Sequence, residues 1–304
     1  MPVTVGLPSA GGAEMLLKNQ SCRFAGPSGK DFAEVVILTE SLVIFDYSGT
    51  LNLEMAVFAR PDSLLRHLKT SGLFALGLKN NALFWKIINS TWQEGSTTGV
   101  GYKKIMLANL QRLFPDQAQP GKPQLVKAVA DFAEAYFSKA EIDARWRPLL
   151  KMLSGNNVVQ VVIATDHYAE ATGAISKHLK TWHIHASGLP AVRKGEIFIA
   201  NSADIGFHKE RYPFWETVKN ILKEKYARVI LIDDFGTNEQ QADAYAQEYL
   251  IDSRRRKTLD LLERVFAAPV KCFSFAAQDQ AIAELILQTT GSITRLLAGE
   301  KSTK

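Results

Sequence analysis

Acidic side chains and one threonine stand where three apolar runs of this 304-residue chain stop. Asp46 follows residues 42–45, Thr165 and Asp166 follow 158–164, and Asp233 and Asp234 follow 229–232. A carboxylate can attack an electrophilic centre and form a covalent intermediate, splitting one hard displacement into two easier ones. Carboxylates with a backbone carbonyl suit a hard divalent cation, and a hydroxyl, backbone amides and an ammonium suit an anion. Lys209 stands just ahead of the helix-start signal Tyr212-Pro213. Taken one at a time, each has an ordinary reading too. Asp46-Tyr47-Ser48-Gly49 is a turn sequence, Thr165 suits a helix N-cap, and Lys209 suits a surface, with Lys194 the weaker candidate for the same role.

The elements around these residues decide between the two. Runs such as Leu-Val-Ile-Phe at 42–45 and Val-Ile-Leu-Ile at 229–232 read as strands buried on both faces, the mark of a parallel sheet. Parallel strands share one carboxyl edge, so groups far apart in sequence converge there, outside the strand ends where open α/β sheets bind ligands. From Trp146 onward strands and helices alternate: a strand at 158–164, a helix carrying Ala171, Ile175 and Leu179 on one face, short strands at 182–185 and 195–199, a helix opened by Pro213, a strand at 229–232 and another at 270–275. Residues 60–148 instead show helical periodicity, with Leu64, Leu65 and Leu68 after Pro61-Asp62, Leu83, Phe84, Ile87 and Ile88 after Asn80-Asn81, and Leu125, Val129, Phe132 and Tyr136. Loops are expected at 95–101 and 115–123, and aromatic residues Phe74, Phe84, Trp85, Trp92 and Tyr102 form a helix-bundle core or line a pocket. Residues 1–34 read as an irregular lead-in, and 35–38 as an added edge strand.

Composition narrows the function classes. Lys plus Arg exceed Asp plus Glu by 36 to 31, but the excess is spread along the chain. Its dense run, Arg254-Arg255-Arg256-Lys257, reads as a solvated helix face rather than a nucleic-acid stripe. A modestly basic surface suits anionic substrates. No apolar run approaches the roughly 20 residues of a spanning helix, so no membrane partner is expected. Cys22 and Cys272 make neither a disulfide framework nor a zinc site, and the expected location is cytoplasmic. The histidines follow no ligand spacing, and oligomeric state is not legible.

In order, these pieces resemble the haloacid dehalogenase-like (HAD) superfamily. Asp46-Tyr47-Ser48-Gly49-Thr50-Leu51 is similar to its first motif, Val161-Val162-Ile163-Ala164-Thr165 to its second, Lys209 to its third, and Ile232-Asp233-Asp234-Phe235-Gly236-Thr237-Asn238-Glu239 to its fourth. The resemblance implies a Rossmann-like α/β core at 35–59 and 149–304 with an α-helical cap at 60–148. It implies Asp46 as nucleophile and Thr165, Asp166 and Lys209 as the groups that hold a phosphoryl oxygen. It also implies Mg²⁺ held by Asp46, the Ser48 carbonyl and Asp233, with Asp234 and Asn238 or Glu239 behind them, holding metal waters or orienting Lys209. The substrate class it implies is a small phosphorylated molecule.

One position departs from the pattern. Phosphatases of the superfamily carry a second Asp two residues after the nucleophile, which protonates the leaving oxygen and then activates water; here that residue is Ser48. A serine hydroxyl is not acidic enough for this role, and positioned acid–base help is worth about 100- to 10,000-fold. Three alternatives follow: a phosphate-binding or regulatory protein with little turnover, a phosphonatase-type enzyme using a cap lysine (Lys79, Lys86, Lys103 or Lys104), or a dehalogenase.

Overall fold

The computed structural model describes residues 39–117, 123–191, 193, 195–277 and 281–298. The lead-in expected at 1–34, the edge strand expected at 35–38, Cys22 and Lys194 lie outside them. Strand β1 (Thr39–Phe45) is followed by α1 (Glu54–Phe58), α2 (Pro61–Thr70), α3 (Asn81–Ser96), α4 (Tyr102–Leu113) and α5 (Gln124–Phe137), and α6 (Arg147–Ser154) then leads into β2 (Val159–Thr165). The remainder alternates: α7 (Glu170–Thr181), β3 (Ala186–Ser187), β4 (Ile197–Asn201), α8 (Ser202–Ile205), α9 (Tyr212–Leu222), β5 (Tyr226–Asp233), α10 (Glu248–Phe266), β6 (Val270–Ser274) and α11 (Ile282–Leu297).

The six strands form one parallel sheet in the order β3-β4-β2-β1-β5-β6. Period-two alternation sends Val43, Phe45, Val161, Ile163, Ile230 and Ile232 into one core and Leu42, Ile44, Val162, Ala164, Val229 and Leu231 into the other. Helices cover both faces, which is why these strands are apolar at nearly every position. Each such Leu, Ile or Val contributes about 1.5–3 kcal/mol by leaving water. Register aligns the strand ends: Phe45 stands opposite Ile163 on one side and Ile232 on the other. The next residue, Asp46, continues the ladder by donating its N–H to the Ile232 carbonyl at 2.8 Å.

Helices α1–α5 share a third hydrophobic cluster, in which Phe58, Leu64, Leu68, Phe84, Ile87, Leu110, Val129 and Phe132 are buried together with Tyr168 from beyond β2. Their starts follow the expected signals. Pro61 opens α2, and the Asn80 side chain caps α3 by accepting the Leu83 N–H at 2.8 Å.

Local differences from the sequence reading have local causes. The loop expected from Gly95 begins later, because α3 continues through Ser96 and Gly95 packs under the Tyr168 ring. The strand expected at 182–185 is displaced to Ala186–Ser187; Trp182 ends α7 and His183 turns the chain with a left-handed φ of 58°. The helix after Thr165 begins at Glu170, so Thr165 caps nothing. Among the described residues no helix is long and apolar enough to cross a membrane.

Candidate functional site

Asp46, Asp233 and Asp234 converge at the carboxyl edge of the sheet, each buried, with one oxygen from each within 4.8 Å of the others. The Lys209 ammonium lies among them, donating to Asp46 Oδ1 at 2.5 Å and to Asp233 Oδ2 at 2.9 Å. Lys209 comes from the segment between α8 and α9, and its backbone is fixed at both ends. Its N–H donates to Asp166 Oδ1 at 2.9 Å, and its carbonyl accepts the Trp215 indole N–H at 2.6 Å. Asp233 is itself oriented, its Oδ1 accepting the Phe235 N–H at 2.7 Å.

The electrostatics follow from burial. Loss of water pushes Asp46 up to about 7; Lys209 pulls against that rise and Asp233 adds to it. Burial also works against the Lys209 charge, but Asp233 and Asp46 outweigh it and hold the ammonium well above the usual lysine range. Burial, then Asp46, Glu239 and Asp233, push Asp234 well above the carboxylate range, and Asp234 has no ion-pair partner among the described residues. Three carboxyl groups thus meet beside one ammonium, which pairs with Asp46 and Asp233 and leaves Asp234 without a cation. That donor set fits Mg²⁺, a hard cation that takes oxygen ligands.

The turns bearing Asp46 and Asp233 are stapled together. The Asp234 N–H donates to Thr50 Oγ1 at 3.1 Å, Asn238 Nδ2 donates to the Gly49 carbonyl at 2.7 Å, and Asp234 Oδ2 accepts the Asn238 N–H at 2.9 Å. On the other side Trp146 Nε1 donates to the Thr50 carbonyl at 3.1 Å and Tyr47 Oη to the Ala140 carbonyl at 2.6 Å. Gly49 has φ +76°, and a Cβ there would lie 2.6 Å from Asp234 Oδ2. Gly49→Ala is therefore expected to cost about 1–3 kcal/mol and to displace Asp234; thermal unfolding and metal titration of the variant measure the two effects.

Thr165 is 1% exposed, lines the cavity beside Asp46, and its Oγ1 has no hydrogen-bond partner. An unpartnered buried hydroxyl at a strand end costs free energy unless a ligand completes it. Asp166 lines the same cavity, although its Oδ1 is occupied by the Lys209 N–H. Ser48 Oγ donates to Glu239 Oε1 at 2.7 Å, so its hydroxyl proton is already placed. Burial, with the Asp243 charge adding, pushes Glu239 up to about 7. Lys209 is thus oriented by Asp46 and Asp233, whereas Asn238 links turns and Glu239 holds Ser48.

Asp46, Ser48 and Thr165 share the cavity lining with aromatic side chains from α1, α3, α4 and α5: Phe58, Phe84, Trp85, Trp92, Tyr102 and Tyr136. Of the five aromatics singled out from the sequence, Phe74 alone is absent from the lining. Tyr168, Asp243 and Tyr245 also line it, and local sequence carried no sign of them. Arg254 corrects the reading of the basic run. It is 8% exposed, stacks 3.6 Å over the Tyr245 ring and donates to the Phe235 carbonyl, while Arg255, Arg256 and Lys257 are exposed as expected. Lys79, Lys86, Lys103 and Lys104 are exposed, and none lines the cavity.

No family model matches the sequence, and no curated protein matches it. Solved structures do, 37 chains in all. One is a predicted HAD-like family hydrolase from Porphyromonas gingivalis, 14% identical, with 85% of this chain and 98% of that chain covered and a TM-score of 0.45. A 2-haloacid dehalogenase from Pseudomonas syringae pv. Tomato DC3000 is 16% identical over 68% of this chain and 84% of its own, with a TM-score of 0.44. β-Phosphoglucomutase from Clostridium difficile is 14% identical over 85% and 99%, with a TM-score of 0.32. These are distant likenesses, and residue roles follow from the geometry above.

Proposed function

We propose that this chain is a HAD-like hydrolase that cleaves a small phosphorylated molecule through an aspartyl-phosphate on Asp46, with residues 60–148 serving as the helical cap over the site. The observation that carries the reading is the buried meeting of Asp46, Asp233, Asp234 and Lys209 at one sheet edge, beneath a cavity that includes an unpartnered Thr165 hydroxyl. Asp46 attacks phosphorus as the ester P–O bond breaks, and water then cleaves the acyl phosphate to restore the carboxylate. Lys209 offsets the charge on the nucleophile and on the phosphoryl oxygens, and Thr165 Oγ1 donates to one of those oxygens. Asp166 positions Lys209 through its backbone. Asp46, Asp233, Asp234 and the Ser48 carbonyl are the groups that would hold Mg²⁺, which when bound supplies the positive charge that lets two anions approach.

Ser48 sets the limit on this chemistry. Its hydroxyl is committed to Glu239, so the departing oxygen has no carboxylic acid at that position, and substrates with good leaving groups are favoured. The same feature favours the second reading, a phosphate- and metal-binding protein with little turnover. A C–P mechanism has less support, because the four cap lysines considered for it are exposed.

Hydrolysis of an activated aryl phosphate, assayed with Mg²⁺ and after chelation, tests the reading. Turnover is expected with Mg²⁺ and should fall at least about 100-fold without it. Equal rates in both would remove the metal-assisted mechanism. An inert protein whose melting temperature still rises with Mg²⁺ and phosphate would establish the binding-protein reading instead.

A further inference from the structure

Granted the hydrolase reading, the unreacting part of the substrate is recorded in the cavity walls. Besides Asp46, the charged residues of the lining are Asp166, Glu239 and Asp243, and no Lys or Arg lines the cavity among the described residues. Its histidine, His167, is fully buried, accepts the Tyr168 N–H at Nδ1 and is pushed down to about 4 by burial, so it is neutral at pH 7. Asp166 is tied to Lys209 and Glu239 to Ser48. Asp243 accepts the Tyr245 N–H at 2.8 Å and forms no ion pair among the described residues; burial pushes its carboxyl up, against the pull of that hydrogen bond and of the Arg254 charge. A second phosphate or a carboxylate on the substrate would meet carboxyl groups in this lining and no Lys or Arg.

Three rings line the cavity together with Asp243. Trp92 meets Tyr168 at 5.5 Å and 85°, and Tyr245 at 6.4 Å and 64°, and stacks on His208 at 6.2 Å and 18°. Faces set at steep angles beside a carboxylate are the surroundings that receive an ammonium group. The Tyr245 ring already carries one cation, the Arg254 guanidinium, which is outside the lining. The cavity volume is about 80 Å³. At about 10–15 Å³ for a water on the same scale, that is room for roughly five to eight waters, a compact group.

We propose that the substrate is a phosphate monoester of a small amino alcohol, its ammonium group received by Asp243 and the Trp92, Tyr168 and Tyr245 rings while its phosphoryl group meets Asp46. The inference deepens the hydrolase reading and rests on it. It also answers the departure at Ser48. An ammonium two carbons from the ester oxygen withdraws electron density and makes the departing alcohol more acidic, so the alkoxide leaves with less need of a proton donor. The ammonium itself neither gains nor loses a bond; the P–O bond breaks to Asp46, and water later releases inorganic phosphate.

The test compares three esters with Mg²⁺ present: phosphocholine, its neutral isostere 3,3-dimethylbutyl phosphate, and the anionic phosphoglycolate. Acetyl phosphate, which has no tail beyond its acyl group, serves as the control. The expected kcat/KM for phosphocholine exceeds that of the neutral ester by about tenfold or more, with phosphoglycolate lowest. Asp243→Asn and Trp92→Leu should each bring the first ratio close to one while acetyl phosphate turnover persists. Choline should also raise the melting temperature of the native protein and not that of Asp243→Asn. Equal or better use of the neutral ester, or a preference that survives both substitutions, overturns the inference. If acetyl phosphate is hydrolysed without discrimination among the three esters, the hydrolase reading stands and this one falls. If acetyl phosphate and every ester are inert, the hydrolase reading fails and takes this one with it.

Discussion

Asp46→Asn is expected to lower turnover of an activated phosphate ester at least about a thousandfold, the scale on which loss of a nucleophile removes transition-state stabilisation. The amide is nearly isosteric with the carboxylate and keeps an oxygen that can accept from Lys209, so the fold should persist. Stability should move in a direction set by charge. Ionised Asp46 is buried beside Asp233 and Asp234, with Lys209 and a Tyr47 backbone hydrogen bond lowering its pKa. Removing its charge relieves that crowding and leaves Lys209 paired with Asp233 at 2.9 Å. In the metal-free protein the variant should therefore melt no lower than the native chain, and the increase in melting temperature on adding Mg²⁺ should shrink. A variant that melts far below the native protein would mean that Asp46 is chiefly structural. Retained turnover would exclude it as the nucleophile.

The largest expected loss of stability comes from Lys209→Met. The methionine keeps the apolar stem and deletes the charge, stranding Asp46 and Asp233 without their shared cation at sites where both side chains are under a tenth exposed. Removing one partner of a buried ion pair costs about 3–5 kcal/mol. For a chain of this size that corresponds to a melting point lower by about 5–9 °C. Part of the cost is avoided if a carboxylate takes up a proton, so the loss should be smaller at low pH. Mg²⁺ should restore much of the stability, since it supplies charge to the same carboxylates, yet it should not restore activity, because the ammonium also faces the phosphoryl group in the proposed complex. Calorimetric unfolding with and without Mg²⁺, set beside turnover, separates the two roles. A variant as stable as the native protein in chelator would show that the carboxylates are not jointly ionised.

What the chain declares locally is the sheet edge. Asp46, Thr165 and Asp233 were legible because a strand buried on both faces must be an unbroken apolar run, and the first polar residue after it lies at the carboxyl edge whatever the rest of the protein does. Lys209 was legible by its place ahead of Tyr212-Pro213, since a proline near the first turn marks a helix start independently of tertiary context. The helices at 60–148 were legible by periodicity, though not their ends: α3 passes through Gly95 because Tyr168 covers it, and that contact is made across the fold.

Tertiary structure alone decided how these groups are used. Ser48 and Glu239 are 191 residues apart and share a hydrogen bond; nothing near either residue announces the other. Arg254 sits in a basic run whose next three members are exposed, and it is buried because Tyr245 and the Phe235 carbonyl happen to face its position on α10. The cavity gathers Trp92 from α3, Tyr168 from the turn after β2, and Asp243 and Tyr245 from the loop before α10. Apolar periodicity acts between near neighbours, so sequence alone specified the long buried strands, the polar residues at their ends and the order of elements, but not the place of the short strand at Ala186–Ser187. Side-chain partnership depends on which surfaces the packed helices bring together, so the choice of what this site holds was left to the fold.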